Sequence, residues 1–302
     1  MTERRHSEPL PLGGDQGPPY SKGLMARALM ATGVGAVAAY ELARRIELDL
    51  DSSGVQATTL ERIEELAREL LGREAGGSAI QRLRRYSDFQ ELDLPIILLV
   101  GGATGTGKST VATESAYRLG ITRVTSTDFV RQTMRAFFSE EFMPSIHYSS
   151  FEVGGRDADE SNPLLNGFLD QTRNVLVGVR AAIDRAMQEG WSMVLEGVHL
   201  VPGMLPASIE GALVVQCVLA IEDEEEHASH FSTRGDADGA RAPAKYLQHL
   251  GDIRTIQAHI VERARKHGVP VIENEGMQQA VTAVIELVLE RAAEEQRVDT
   301  GR

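Results

Sequence analysis

One cysteine in 302 residues excludes an intrachain disulfide, so nothing in the chain calls for an oxidising compartment. That residue, Cys217, sits in the apolar run Leu213-Val-Val-Gln-Cys-Val-Leu219 and reads as a small buried hydrophobe. Long apolar runs are missing too. No stretch approaches the roughly eighteen uninterrupted apolar residues of a membrane span, and the polar start Met1-Thr-Glu-Arg-Arg-His6 has no signal-peptide core behind it. A cytoplasmic protein with no membrane partner is expected. Basic charge is scarce: 31 Lys+Arg face 44 Asp+Glu, a net charge of −13. The deficit holds on both sides of Leu94, with 12 against 15 before it and 19 against 29 after it. Affinity for a phosphate backbone comes from clustered Lys and Arg, so a general nucleic-acid partner is excluded. An anionic substrate must instead meet a local basic site inside an acidic body.

What is present is ordinary globular composition, 42% hydrophobic and 25% charged, with a length that suggests about two domains. Residues 1–19, with Gly13-Gly14 and Gly17-Pro-Pro19 and little apolar periodicity, read as a disordered tail. From 20 to about 90 the period is helical: Ala39, Leu42, Ala43, Ile46 and Leu50 share one face, and Leu60, Ile63, Ala67 and Leu70 another. Thr58-x-x-Glu61 and Ser78-x-x-Gln81 read as capping boxes, with Gly72 as a helix stop. This is a small all-helical module. At Pro95 the character changes. Ile96-Ile-Leu-Leu-Val100 is a short continuous apolar run of the kind found in a strand buried on both faces, and strands are expected again at Arg123–Thr127, Ser192–Glu196, Leu213–Leu219 and Val269–Glu273. Helical segments fall between them at Lys108–Leu119, Asp128–Phe138, Leu165–Gln188 and Lys245–His267, with Met277–Glu294 last. Alternation of this kind implies an α/β domain over 91–302, a parallel sheet with helices on both faces.

Between the first strand and the helix after it lies Gly102-Ala-Thr-Gly-Thr-Gly-Lys108-Ser109, which matches the spacing of the P-loop of nucleoside triphosphatases. Gly101, Gly102, Gly105 and Gly107 are expected to permit positive φ and to let backbone amides face phosphate groups, while the following helix directs its positive dipole end at the same charge. Gly102, Thr104, Gly105, Thr106, Gly107, Lys108, Ser109 and Thr110 are therefore the expected ATP contacts. Lys108 is placed on the β- and γ-phosphates and the Ser109 hydroxyl on Mg²⁺.

Other candidates follow the remaining strands. Asp128, at the end of the second, can orient or deprotonate an acceptor hydroxyl; the alternative is that it caps the next helix. Arg131 and Arg135 lie one turn apart on that helix and suit an acceptor with two anionic groups, unless they line a solvated face. Glu196, closing Met193-Val-Leu-Glu196, has the strand-plus-acid pattern of a Mg²⁺ or water-positioning residue. His199 follows it as a weaker substrate-side candidate. Arg234 and Arg241, on either side of Gly235-Asp-Ala-Asp-Gly239, are expected to neutralise charge during transfer from a mobile lid, with Lys245-Tyr246 beside them.

With these residues assembled the chain resembles the 2-phosphoglycerate kinases best known from methanogenic archaea. The resemblance rests on Gly101-Gly-Ala-Thr-Gly-Thr-Gly-Lys-Ser-Thr110, Val124-Thr-Ser-Thr-Asp-Phe-Val-Arg131, Tyr148-Ser-Ser-Phe151, Leu195-Glu-Gly-Val-His-Leu-Val-Pro-Gly203, Ile253-Arg-Thr-Ile-Gln257 and Val269-Pro-Val-Ile-Glu-Asn274. It implies transfer of a phosphoryl group from ATP to 2-phosphoglycerate with Mg²⁺, a small phosphorylated acid being the partner molecule. The segment Tyr20-Ser-Lys-Gly-Leu-Met-Ala-Arg-Ala-Leu29 with Ala39-Tyr-Glu-Leu-Ala43 looks like the partial ATP-cone module that precedes such kinases. Two other readings of the residues stay open: a P-loop kinase for a polyol, a sugar acid or 3-phosphoglycerate, and a non-catalytic adenylate sensor.

Overall fold

The computed structural model describes residues 10–14, 18–90, 92–152, 162–232 and 243–300. Four helices come first, α1 (Lys22–Ala31), α2 (Ala36–Ser53), α3 (Leu60–Leu71) and α4 (Arg73–Gln90). Strands and helices then alternate: β1 (Ile96–Gly102), α5 (Lys108–Leu119), β2 (Val124–Ser126), α6 (Thr127–Phe137), a 3-10 turn at Pro144–His147, α7 (Pro163–Glu189), β3 (Met193–Gly197) and β4 (Leu213–Ala220). Helices α8 (Glu224–Ser232), α9 (Pro243–Gln248) and α10 (Leu250–Lys266) lead to β5 (Val271–Glu273) and α11 (Met277–Thr300). Among the described residues no helix is long and apolar enough to cross a membrane.

By packing the chain falls into two units that do not follow chain order. The first comprises Met1–Leu94 with Ser115–Thr122 and Thr282–Arg302, and the second Pro95–Glu114 with Arg123–Val281. Within the first, Gln296 donates to the Asp88 carbonyl at 2.8 Å and Arg118 to the Met30 carbonyl at 3.4 Å, so the end of α11 and the last turn of α5 belong with the helical portion. Leu10 and Leu12, inside the stretch 1–19 expected to be a tail, are buried in the same unit.

The second unit is built on a parallel five-stranded sheet in the order β2-β3-β1-β4-β5. Every residue of β1 is buried. Because alternate side chains of a strand point to opposite faces, both faces must be covered, and the fold is the α/β P-loop architecture. Ile97 and Leu99 of β1 meet Met193 and Leu195 of β3 and Val175, Val179 and Ile183 of α7 in one cluster. Helix α7 starts where Asn162 accepts from the Leu165 amide at 3.2 Å, and stops at Gly190, whose φ of 65° is left-handed. Cys217 lies buried on β4, and burial pushes its thiol up to about 12.

Local signals were displaced where packing competed with them. The cap of α3 is Thr59, which accepts from Arg62, one residue after the expected Thr58; Thr58 instead donates its amide to the Leu12 carbonyl and is buried. Ser78 caps nothing, because α4 runs straight through Gly76-Gly77-Ser78. The reason is close contact: a Cβ on Gly76 would stand 2.7 Å from the backbone of Ala67 and Arg68 in α3. The single helix expected over Lys245–His267 is two, broken at His249, whose φ of −104° and ψ of 17° are not helical and whose ring sits 5.3 Å from that of Phe151.

Adding a methyl group at adjacent glycines should therefore have opposite effects. Gly76→Ala is expected to cost about 1–3 kcal/mol by overpacking. Gly77→Ala, where the new atom meets only the flexible Arg68 guanidinium at 3.8 Å, should stabilise by about 0.5–1 kcal/mol through helix propensity. Urea-unfolding midpoints of the two variants check the pair.

Candidate active site

The phosphate loop is shaped by what holds its carbonyl groups. Lys108 Nζ and Thr106 Oγ1 donate to the Ala103 carbonyl at 3.1 and 3.0 Å. His227 Nε2 lies 2.8 Å from the Thr104 carbonyl, His230 Nδ1 2.9 Å from that of Gly105, and Asn274 Nδ2 2.9 Å from that of Thr106. A planar peptide points its N–H opposite to its C=O, so turning the Ala103, Thr104 and Thr106 carbonyls toward side chains turns the Thr104, Gly105 and Gly107 amides toward the other side of the loop, as phosphate binding requires, while the Thr106 amide folds back on the Ala103 carbonyl at 3.5 Å. Gly102, Gly105 and Gly107 have φ of 145°, 90° and 79°, as expected. Gly101 has ordinary φ and serves another need, since a Cβ there would stand 2.8 Å from the Leu200 carbonyl. Beside the loop a cleft of about 320 Å³ is lined by Gly105, Gly107, Thr110 and Val111, by Glu226 and His230, and by Asn274 through Met277. Its size and position suit a nucleotide. The helical unit has a larger cavity, about 400 Å³, but Glu47 and Asp51 are the charged residues that line it, and two carboxylates repel a triphosphate.

The sheet order brings the other candidates to the loop. Strand β3 lies between β1 and β2, with Glu196 in register with Val100 on one side and Ser126 on the other. Buried Glu196 thus stands at the carboxyl edge between the phosphate loop and Asp128. Asp128 does not cap α6: Ser126 does, its hydroxyl accepting from Phe129 at 3.0 Å. Its side chain is 52% exposed, and although desolvation is the largest single influence and raises its pKa, the charges of Arg131 and Lys108 help hold the carboxyl below the usual range. The field of Lys108 reaches Asp128.

Arg131 and Arg135 part company despite their spacing. Arg131 is buried; its Nε lies 3.3 Å from Asp128 Oδ1, and its Nη1 donates to the carbonyls of Ile146 and Tyr148 at 2.9 and 3.0 Å. Arg135 is exposed and donates to Gln132 at 3.2 Å. Ser109 is half-buried at the second position of α5, and Thr110 is exposed. Lys245 is engaged by Glu152 at 2.9 Å, and Tyr246 stacks on Phe231 at 5.1 Å. Arg234 and Arg241 lie outside the described residues.

His199 is fully buried. Gln171 uses its amide nitrogen to donate to the carbonyls of Ser145 and Tyr148, which leaves its oxygen as an acceptor 3.0 Å from His199 Nε2. His199 must then carry its proton on Nε2 and accept at Nδ1 from Thr127 Oγ1, 2.8 Å away. The chain of bonds fixes Thr127 beside Asp128, and Gly197 makes room for it, since a Cβ there would overlap the Thr127 hydroxyl. None of Thr127, Gln171, His227, His230 and Asn274 was given a site role from the sequence. For α8 a signal existed in the spacing of His227, His230 and Phe231, which shares one helix face; the others are joined only by the fold.

No family model matches the chain. Curated relatives do. The 2-phosphoglycerate kinase of Methanothermobacter thermautotrophicus is 38% identical over 273 residues, covering 88% of this chain and 89% of that protein. Those of Pyrococcus furiosus and Methanopyrus kandleri are 34% and 35% identical, covering 91% and 89% of this chain and 91% and 84% of their own. The chain belongs to the 2-phosphoglycerate kinase family. Membership in that family makes it an ATP-dependent phosphotransferase.

Burial, partly opposed by the Asp128 carboxylate, pushes the His199 imidazole down to about 3. The unfolded chain takes up a proton near the ordinary value of 6.5, so stability present above 6.5 should fall as pH drops from there toward 3. His199→Gln should flatten that limb in pH-dependent unfolding curves; an unchanged limb would assign it to other groups.

Proposed function

We propose that this chain transfers the γ-phosphoryl group of ATP to the free hydroxyl of 2-phosphoglycerate, giving 2,3-bisphosphoglycerate and ADP. The observation that carries the chemistry is the sheet order β2-β3-β1, which brings Asp128, Glu196 and the loop that carries Lys108 to one edge; the acceptor follows the family. In the reaction the hydroxyl oxygen forms a bond to the γ-phosphorus as the bond to the β–γ bridging oxygen breaks, and the hydroxyl proton passes to Asp128. A carboxylate held below its usual pKa is a weak base. It is suited to orienting the hydroxyl first and taking the proton late, which a loose phosphoryl-transfer transition state allows. Lys108 offsets charge on the transferring group. Ser109 and Glu196, a hydroxyl and a carboxylate at one edge, fit Mg²⁺, which supplies charge neutralisation on the phosphates. Arg131 and Arg135 are proposed for the acceptor's phosphate and carboxylate, Arg131 from the buried side and Arg135 from the exposed turn, with Arg234 and Arg241 contributing during transfer.

The helical portion over 20–90 is assigned as an accessory module rather than a second nucleotide site, given the carboxylates of its cavity. With ATP as donor and a single unpaired cysteine, the cytoplasm is the compartment that fits.

Steady-state transfer from ATP to 2-phosphoglycerate, 3-phosphoglycerate, glycerate and an uncharged polyol tests the acceptor. 2-Phosphoglycerate should lead the others in kcat/KM by at least about tenfold, and preference for the polyol would sink the assignment. Lys108→Ala should lower kcat by about 10²–10³ with an unchanged thermal melt. Asp128→Asn should lower kcat while ATP affinity stays within about twofold, since the helix cap belongs to Ser126.

A further inference from the structure

The P-loop spacing says nothing of what holds the loop's outer side, and here two imidazoles do. His227, His230 and Phe231 lie at i, i+3 and i+4 on α8, the spacing of a single helix face. His227 Nε2 meets the Thr104 carbonyl at 2.8 Å and His230 Nδ1 the Gly105 carbonyl at 2.9 Å. A carbonyl oxygen only accepts, so each facing nitrogen carries a hydrogen: Nε2 in His227 and Nδ1 in His230. His227 is buried, its ring 5.6 Å from that of Phe231, and its Nδ1 has no partner among the described residues. Burial lowers its pKa, which keeps the ring neutral with one donor committed to the loop. Phe231 closes the contact: a Cβ at Gly105 would overlap its ring.

We infer that His227 and His230 are positioning residues for phosphoryl transfer: His227, through the Thr104 carbonyl, aims the Gly105 amide at the phosphates of the nucleotide, and His230, through the Gly105 carbonyl, fixes the turn in which the Thr106 amide folds back on the Ala103 carbonyl. The inference rests on the nucleotide reading of the loop and not on the identity of the acceptor. Were the two rings only packing α8 against the loop, any side chain of similar size and polarity would serve. If the donor matters, its place along the side chain matters as well, and the two histidines use different nitrogens.

The amide nitrogen of Asn falls where Nδ1 of His stands, and that of Gln where Nε2 stands. Four variants of the full chain therefore make a crossed test: His227→Gln and His230→Asn keep the donor, while His227→Asn and His230→Gln misplace it. ATP affinity, by calorimetric titration without an acceptor, and kcat for the acceptor selected above are the readouts. The misplaced pair should bind ATP about tenfold more weakly than wild type and the matched pair within about threefold, with inorganic tripolyphosphate, which lacks a base, following the same pattern. Equal affinities in all four, or the reverse pattern, would overturn the inference. Should His227→Asn fail to fold, as near-ultraviolet circular dichroism would report, the half-buried His230 pair decides alone. Wild-type protein that binds no ATP would refute the nucleotide reading itself, whereas tight ATP binding without turnover on 2-phosphoglycerate would refute only the acceptor.

Discussion

A phosphate loop works only if consecutive peptide groups present their amides to one side, and a planar peptide cannot turn its N–H inward without turning its C=O outward. Outward carbonyls removed from water must find donors. In this chain the donors come from three places far apart in sequence: Lys108 and Thr106 within the loop, His227 and His230 on α8, and Asn274 beyond β5. The glycines are the other half of the same constraint. At Gly105 and Gly107 a side chain would occupy space held by Phe231 and by Asn274 Nδ2, so the residues that turn the loop also crowd it.

A second network fixes the start of α6. Carbonyls of the segment 145–148 receive Gln171 and Arg131; Gln171 fixes the tautomer of His199, and His199 in turn receives the Thr127 hydroxyl. Each bond settles the direction of the next. Thr127 and Asp128 open α6, one buried and the other half exposed, so a fixed residue and an accessible carboxylate are neighbours in the chain. A neutral buried imidazole does this without adding a charge next to Asp128, whose ionisation depends on Arg131 and Lys108.

Much of this was legible in the sequence. The apolar run before Gly102, the loop spacing and the strand-end positions of Asp128 and Glu196 are local patterns, and local patterns survive folding when nothing competes with them. Five strands were found near their expected positions for that reason. Where a tertiary contact competed, the local signal gave way: Thr58 gave up the cap and donates its amide to the Leu12 carbonyl, and α4 continued through two glycines, at the first of which α3 leaves no room for a side chain. Likewise the i, i+4 spacing of Arg131 and Arg135 was read correctly as one helix face, but spacing could not say that the face turns from buried to exposed within one turn.

By itself the sequence determined the chemistry on offer: a triphosphate loop ahead of a helix, acids at strand ends, and an acidic overall charge. Spacing along the chain carries that information because strand, loop and helix are each set by neighbouring residues. Only the tertiary structure decided which groups act together. The order β2-β3-β1 puts Glu196 between the loop and Asp128, and the packing of α8 and β5 brings His227, His230 and Asn274 to the loop's carbonyls. Those juxtapositions join residues more than a hundred positions apart, as His227 is from Thr104, and no local pattern encodes which distant donor will meet a given carbonyl.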